Sequence, residues 1–184
     1  LKKQMANALN MQGISFSIRN DLENARKHYS ESLAIRQAIG DKTGIAASLS
    51  NIGVVYEKEG NFAKAIESYQ ESLKMRREIQ DKKGMISVLH NLGMIHQNTG
   101  VLSDALNYYK QSIEIREEIR EYQGMNNTIR NIGTIYFNQG EYNQAMNCYE
   151  KVLKIQQEIG DMKGIAATLQ DIGNAYREQG DNTQ

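Results

Sequence analysis

Apolar side chains recur along this chain with helical spacing, and the pattern itself repeats. With Ile45 set at 0° and about 100° allowed per residue, Leu49, Ile52, Gly53 and Tyr56 fall on one stripe. Gly60-Asn61 then breaks the helix, because glycine tolerates the positive φ that ends one. A second stripe follows, with Phe62, Ala65, Ile66, Tyr69, Leu73 and Ile79 on its buried side. Asp81-Lys82-Lys83-Gly84 turns the chain into the next copy of the pattern, forty residues on. The spacing predicts first helices over 43–59, 83–99 and 123–139 and second helices over 62–79, 102–119 and 142–159. The chain is expected to be all-α, nine helices in a stack of hairpins.

The glycines fix the period. Gly13, Gly53, Gly93, Gly133 and Gly173 form one column, and Gly60, Gly100, Gly140 and Gly180 a second. Gly44, Gly84, Gly124 and Gly164 form a third, and Gly40 and Gly160 a partial fourth. Repeats are therefore read over 1–40, 41–80, 81–120 and 121–160, with a partial unit over 161–184. This makes about four and a half stacked units in one solenoid, 1–184. In the first repeat Asn20 stands in the place of a column glycine. The first segment already lies in register and the last unit has only one helix, so the chain reads as a piece of a larger protein. Gly53 and Ala65, with their counterparts Gly93/Ala105 and Gly133/Ala145, are expected where two helices cross. Tyr69 and Tyr109 are expected to fill the space between units.

Leu49, Ile52, Gly53, Tyr56, Gly60, Phe62, Ala65 and Tyr69 resemble the signature of the tetratricopeptide repeat family. The pattern recurs from Leu89 to Tyr109 and from Ile129 to Tyr149, so the resemblance covers essentially the whole chain. The forty-residue period is similar to the branch that includes LGN, kinesin light chain and many bacterial signalling proteins. The resemblance implies a right-handed superhelix with the first helices lining its concave side. Two departures stand out: the proline usual near the end of the second helix is missing, and its late small alanine is Ser32, Ser72, Ser112 or Val152.

Charge sorts the helices in the same way. The first helices of units two to four hold only Glu57, Lys58, Glu59, Lys83 and Arg130, whereas the second helices hold 17 charged residues. A charged stripe belongs in water, which places the second helices outside. The inner surface is then the side of each first helix opposite its apolar stripe. Ser50, Asn51 and Val54 lie there in unit two, and His90, Asn91 and Met94 in unit three. Asn127, Arg130, Asn131, Thr134 and Asn138 follow in unit four, then Asp171 and Asn174 in unit five.

The column Asn51, Asn91, Asn131 and Asp171 is the leading site. An amide carries both donor and acceptor, so it can grip a peptide backbone without reading its sequence. The resemblance implies the same, since a similar asparagine ladder holds peptide backbones in LGN and kinesin light chain. The competing reading is that these amides bond the neighbouring helix and set repeat packing. Five inner helices spaced about 10 Å apart give a groove of roughly 12 extended residues. Arg130 is the first choice for an acidic side chain; its alternative is solvation or pairing with a neighbouring glutamate.

Composition narrows the classes. Lys plus Arg equals Asp plus Glu at 22 each, so the footprint of a nucleic-acid binder is missing. No apolar run approaches the ~20 residues that span a bilayer. Cys148 is the single cysteine, and with no signal-peptide pattern this favours a cytoplasmic protein. No cofactor or metal is expected: His90 and His96 are six residues apart and face different ways, and His96 stands in the Tyr56 core column. Cys148 has only Lys151 as a cationic neighbour and reads as a packing residue. Asn126-Asn127-Thr128 matches a glycosylation sequon but falls inside a helix. No nucleophile, acid/base pair or phosphate loop assembles, so an enzyme is disfavoured.

The leading expectation is a scaffold binding an extended partner segment in its concave groove. A second is a regulatory or sensor segment of a larger signalling protein, linked to a kinase or cyclase. A third is self-assembly through the uncapped last helix, where Leu169, Ile172 and Tyr176 form an apolar end.

Overall fold

The computed structural model describes residues 1–122 and 124–181. Among these residues there are nine helices and no strand. The chain is an all-α array of antiparallel helix pairs and divides into two compact units, 1–95 and 96–184. The first unit holds α1 (Lys2–Ile18), α2 (Leu22–Ala38), α3 (Lys42–Lys58), α4 (Phe62–Glu78) and most of α5 (Lys82–Asn98). The second holds the end of α5, then α6 (Leu102–Glu118), α7 (Met125–Asn138), α8 (Tyr142–Ile159) and α9 (Met162–Asp181). In the first unit Ala25, Tyr29, Ile52 and Val55 form a buried cluster, with Phe16, Leu33 and Tyr56 packed on it. In the second, Met125, Ile129 and Val152 do the same, with Ile113, Cys148 and Ile155 around them.

The connections follow from backbone chemistry at two columns. Gly60, Gly100 and Gly140 have φ of 74°, 80° and 78°, and Asn20 takes φ 61° in the same place. Asparagine is among the few side chains that tolerate this region. The fifth member, Gly180, lies inside α9 rather than at a break. In the turns between repeats, Gly40 and Gly160 are left-handed, and so are Gln80 and Arg120, at φ 56° and 54°.

An aspartate restarts the chain. The carboxylates of Asp41, Asp81 and Asp161 accept the backbone N–H of Gly44, Gly84 and Gly164 at 3.2, 3.0 and 3.0 Å. Each satisfies one of the N–H groups a helix start leaves unpaired. Glu121 occupies this position in the fourth repeat. There α7 begins only at Met125, after Gly124 with φ 76°, so it is shorter than the expected 123–139.

The first glycine column admits tyrosine rings. A Cβ on Gly13 would stand 2.6 Å from Tyr29, one on Gly53 2.7 Å from Tyr69, and one on Gly133 2.6 Å from Tyr149. These rings lie on the glycine backbone of their own hairpins, and the Tyr69 hydroxyl also reaches Asn91 of the next repeat, in keeping with the expected place between units. Ala65 and Ala145 are fully buried, as expected of small residues at a crossing. Serine then ties the two helices of a hairpin together. Ser32 Oγ donates to the Ala6 carbonyl and Ser72 Oγ to that of Ala46, each at 2.8 Å and fully buried. This is the task of the column in which serine replaces the usual alanine.

Gly133→Ala should cost about 1–3 kcal/mol, because the new methyl overlaps the Tyr149 ring. Gly173→Ala should be neutral or stabilising by up to about 1 kcal/mol, since nothing lies within 4 Å of that position and alanine is the better helix former. Urea denaturation of the two variants checks this; equal effects would contradict it.

Candidate functional site

The asparagine column is half-buried in the helix faces, and each member is engaged by a neighbouring helix. Asn51 Nδ2 donates to Asn10 Oδ1 on α1 at 2.9 Å. Asn131 Nδ2 donates to the Tyr109 hydroxyl on α6 at 3.2 Å, and Asn91 hydrogen-bonds the Tyr69 hydroxyl on α4. Asp171 closes the column by accepting from Arg130 Nε at 2.8 Å and Nη2 at 2.7 Å. Arg130 is therefore paired across to α9, with an aspartate where a glutamate had been the alternative. Asn51–Asn10 and Asp171–Arg130 share one sequence separation, 41 residues, so they are the same contact in two repeats.

These contacts connect the column to the core. The Tyr69 hydroxyl donates to Glu57 Oε2 at 2.9 Å, and that of Tyr109 to Gln97 Oε1 at 2.8 Å. Each ring is fully buried, while its oxygen reaches the following first helix and receives an asparagine there. Burial pushes the Tyr109 phenol up to about 12, with Asn131's donated bond pulling the other way. Tyr69 is raised further, by burial and then by the Glu57 charge. Burial also raises Tyr29 and Tyr149, which bond Ser17 and Thr134.

The remaining inner-face residues divide by partner. Ser50 turns toward α4, its Oγ 2.7 Å from that of Ser72. Thr134 Oγ1 donates to the Arg130 carbonyl at 3.0 Å, and Asn174 Oδ1 accepts from Arg177 at 3.3 Å. Val54, His90 and Met94 are half-buried on their helices, and Asn127 and Asn138 are exposed.

A column that sequence reasoning missed stands at the end of each second helix. Arg36 is buried and donates to the Gly44 carbonyl at 2.7 Å, Ser48 Oγ at 3.0 Å and Asn7 Oδ1 at 3.1 Å. Arg76 pairs with Asp81, and Gln156 holds the equivalent place against Thr168 at 2.9 Å. Forty-residue spacing was the available signal. Charge in a second helix had been read as solvated, which hid these side chains.

His96 packs as its column suggests, stacked on Tyr108 at 5.3 Å with both ring nitrogens buried. Asp104 lies 3.8 Å from Nδ1. Burial pushes the Cys148 thiol up, against the pull of Lys151 and Lys110. Asn126 and the fully buried Thr128 of the sequon both lie inside α7. Among the described residues no cluster of His, Cys, Asp or Glu is arranged to hold a metal, and no helix is long and apolar enough to cross a membrane.

Family models described as tetratricopeptide repeat match residues 4–78, 124–184 and 85–120. No curated protein sequence matches the chain significantly. Among solved structures, BtubC (BKLC) of P. vanneervenii is similar with a TM-score of 0.85 at 20% identity, over 98% of this chain and 75% of that one. The kinesin light chain-type protein of Podosopora anserina, with nearly identical TPR-like repeats, gives 0.80 at 15% identity, over 100% and 90%. The STAND protein PH0952 of Pyrococcus horikoshii, which has a tetratricopeptide repeat sensor, gives 0.86 at 15% identity. There the match covers 96% of this chain but only 28% of the larger protein. At these identities the likeness is one of fold.

The buried phenols make stability fall in alkali. A phenol raised in the folded state contributes fully below its ordinary value near pH ~10 and loses that contribution as pH climbs through the folded value. For Tyr109 the window runs from about pH 10 to about 12. The slope is roughly 1.4 kcal/mol per pH unit for each such group. Urea midpoints at about pH 9 and about pH 11 should differ accordingly, and a flat profile would refute the assignment.

Proposed function

Because this chain belongs to the tetratricopeptide repeat family, we propose that it is a non-catalytic, cytoplasmic protein-interaction module. Its first-helix faces take an extended segment of a partner protein. The observation that carries this reading is that Asn51 and Asn91 in the first unit, and Asn131 in the second, are half-buried at the same position of their repeats. Each amide is held on one side by Asn10, Tyr69 or Tyr109. That fixes its rotamer before any ligand arrives, which lowers the ordering cost of binding. The amides supply backbone contacts, and Val54, His90, Met94, Asn127, Thr134, Asn138 and Asn174 supply discrimination. Arg130 remains the group for an acidic side chain, which would have to compete with Asp171 for it.

The second reading is a sensor segment within a larger signalling protein, favoured by the likeness to the repeat sensor of PH0952. A third is self-association through α9, where Leu169 and Tyr176 are exposed. A chain that stays monomeric at high concentration in sedimentation would remove this third reading.

The test is a peptide-library screen with the parent chain and the Asn91→Ala/Asn131→Ala variant. The variant should lose roughly tenfold or more in affinity for selected peptides. Its helicity should be kept, because Tyr69 and Tyr109 retain Glu57 and Gln97. Full affinity in the variant would defeat the proposal.

A further inference from the structure

The late start of α7 is accompanied by a trough on the other side of that helix. Two pockets of about 360 and 520 Å³ share Met125, Ile129 and Lys151 and form one channel along α7. Ile113 of α6 and Ile155 of α8 complete an apolar floor. Lys110, Lys151 and Lys154 stand on its rim, with Glu117 and Glu158 toward one end. Tyr122 and Ile159 lie at that same end, 56% and 67% exposed. All of these residues belong to the second unit.

The repeat supplies an internal reference for the charge. Eighty residues earlier, the positions of Lys110, Asn147 and Lys151 are Ser30, Glu67 and Glu71. Acids have left this half of the rim and lysines have arrived. Two changes run the other way, Lys64 to Gln144 and Gln37 to Glu117, the second adding an acid at the far end. Lys42 has become Tyr122, which exchanges a charge for an apolar surface. The trough is thus apolar below, basic over most of its length and acidic at one end.

We propose that this trough docks an acidic amphipathic helix of a partner protein. Bulky apolar side chains would enter over Met125 and Ile129, and carboxylates would face Lys110, Lys151 and Lys154. From Gln144 to Glu158 the rim runs about 21 Å along α8, room for some four helical turns. Anchors spaced three and four apart on such a helix meet a groove of this kind along one face. The site is separate from the asparagine column.

The probe is a fluorescent helical peptide of roughly fourteen residues, with leucine at every third or fourth position and glutamate between. A second peptide carries lysine in place of each glutamate. Anisotropy with the full chain should show saturable binding of the acidic peptide and binding at least about tenfold weaker for the basic one. The Lys110→Glu/Lys151→Glu variant should weaken the acidic peptide by about tenfold, with circular dichroism unchanged. Tyr122→Ser/Ile159→Ser, at exposed positions, should weaken it as well. Cys148 lines the trough and is the only thiol, so bound peptide should slow its alkylation. The Asn91→Ala/Asn131→Ala variant should bind this peptide like the parent, which separates the two sites. Equal affinity for the two peptides, indifference to charge reversal, or unslowed alkylation would each overturn the proposal. So would a chain that dimerises until Ile159→Ser is introduced, because a second copy would then be the occupant.

Discussion

Where a Cβ would stand on Gly13, Gly53 or Gly133, the ring of Tyr29, Tyr69 or Tyr149 already lies within 2.7 Å. Two helices can approach this closely only if one gives up its side chain and the other fills the gap with a flat, rigid one. The ring then contributes the burial of a large aromatic side chain, about 2–3 kcal/mol. Neither residue is favourable alone, since glycine in mid-helix costs about 1 kcal/mol against alanine. Paired, they set the distance and register of the hairpin. The buried serines Ser32 and Ser72 reach the facing carbonyl because that distance is short.

The same tyrosines link packing to surface. A phenol buried at its ring still needs a partner for its hydroxyl. Tyr69 and Tyr109 find one behind, at Glu57 and Gln97, and another ahead, at Asn91 and Asn131 of the next first helix. The asparagine column is therefore a product of the fold. Packing and recognition had been weighed as rival roles, and the geometry gives these amides the first while leaving them half-buried.

Much of this was legible in the chain itself. Period, helix type and the left-handed breaks at Gly60, Gly100 and Gly140 come from glycine placement, and Asn20 was recognisable because its side chain tolerates the same φ. A helical wheel gives direction but not partner, which is why the link from Arg130 to Asp171, 41 residues on, was not legible. The start of α7 at Met125, after a left-handed Gly124, has no cue in the repeat pattern, since Gly44, Gly84 and Gly164 stand inside their helices. Gln80 and Arg120 adopt positive φ without any compositional cue; the surrounding turn imposes it. Arg36 escaped because charge was taken to mean exposure, whereas both of its terminal nitrogens donate internally, to Gly44, Ser48 and Asn7.

If ring on glycine is what holds each hairpin, protection of the backbone should follow it. Two stretches of the second unit share a sequence pattern but differ in the ring over the glycine, and with it in burial, since Ile172 and Tyr176 are more exposed than Ile132 and Tyr136. Residues 132–136 of α7 carry Gly133 under Tyr149, whereas residues 172–176 of α9 carry Gly173 with nothing within 4 Å. Native-state hydrogen exchange compares them directly. Amides of 172–176 should exchange through local opening, at least about a hundredfold faster than those of 132–136. Equal protection in the two stretches would contradict the account.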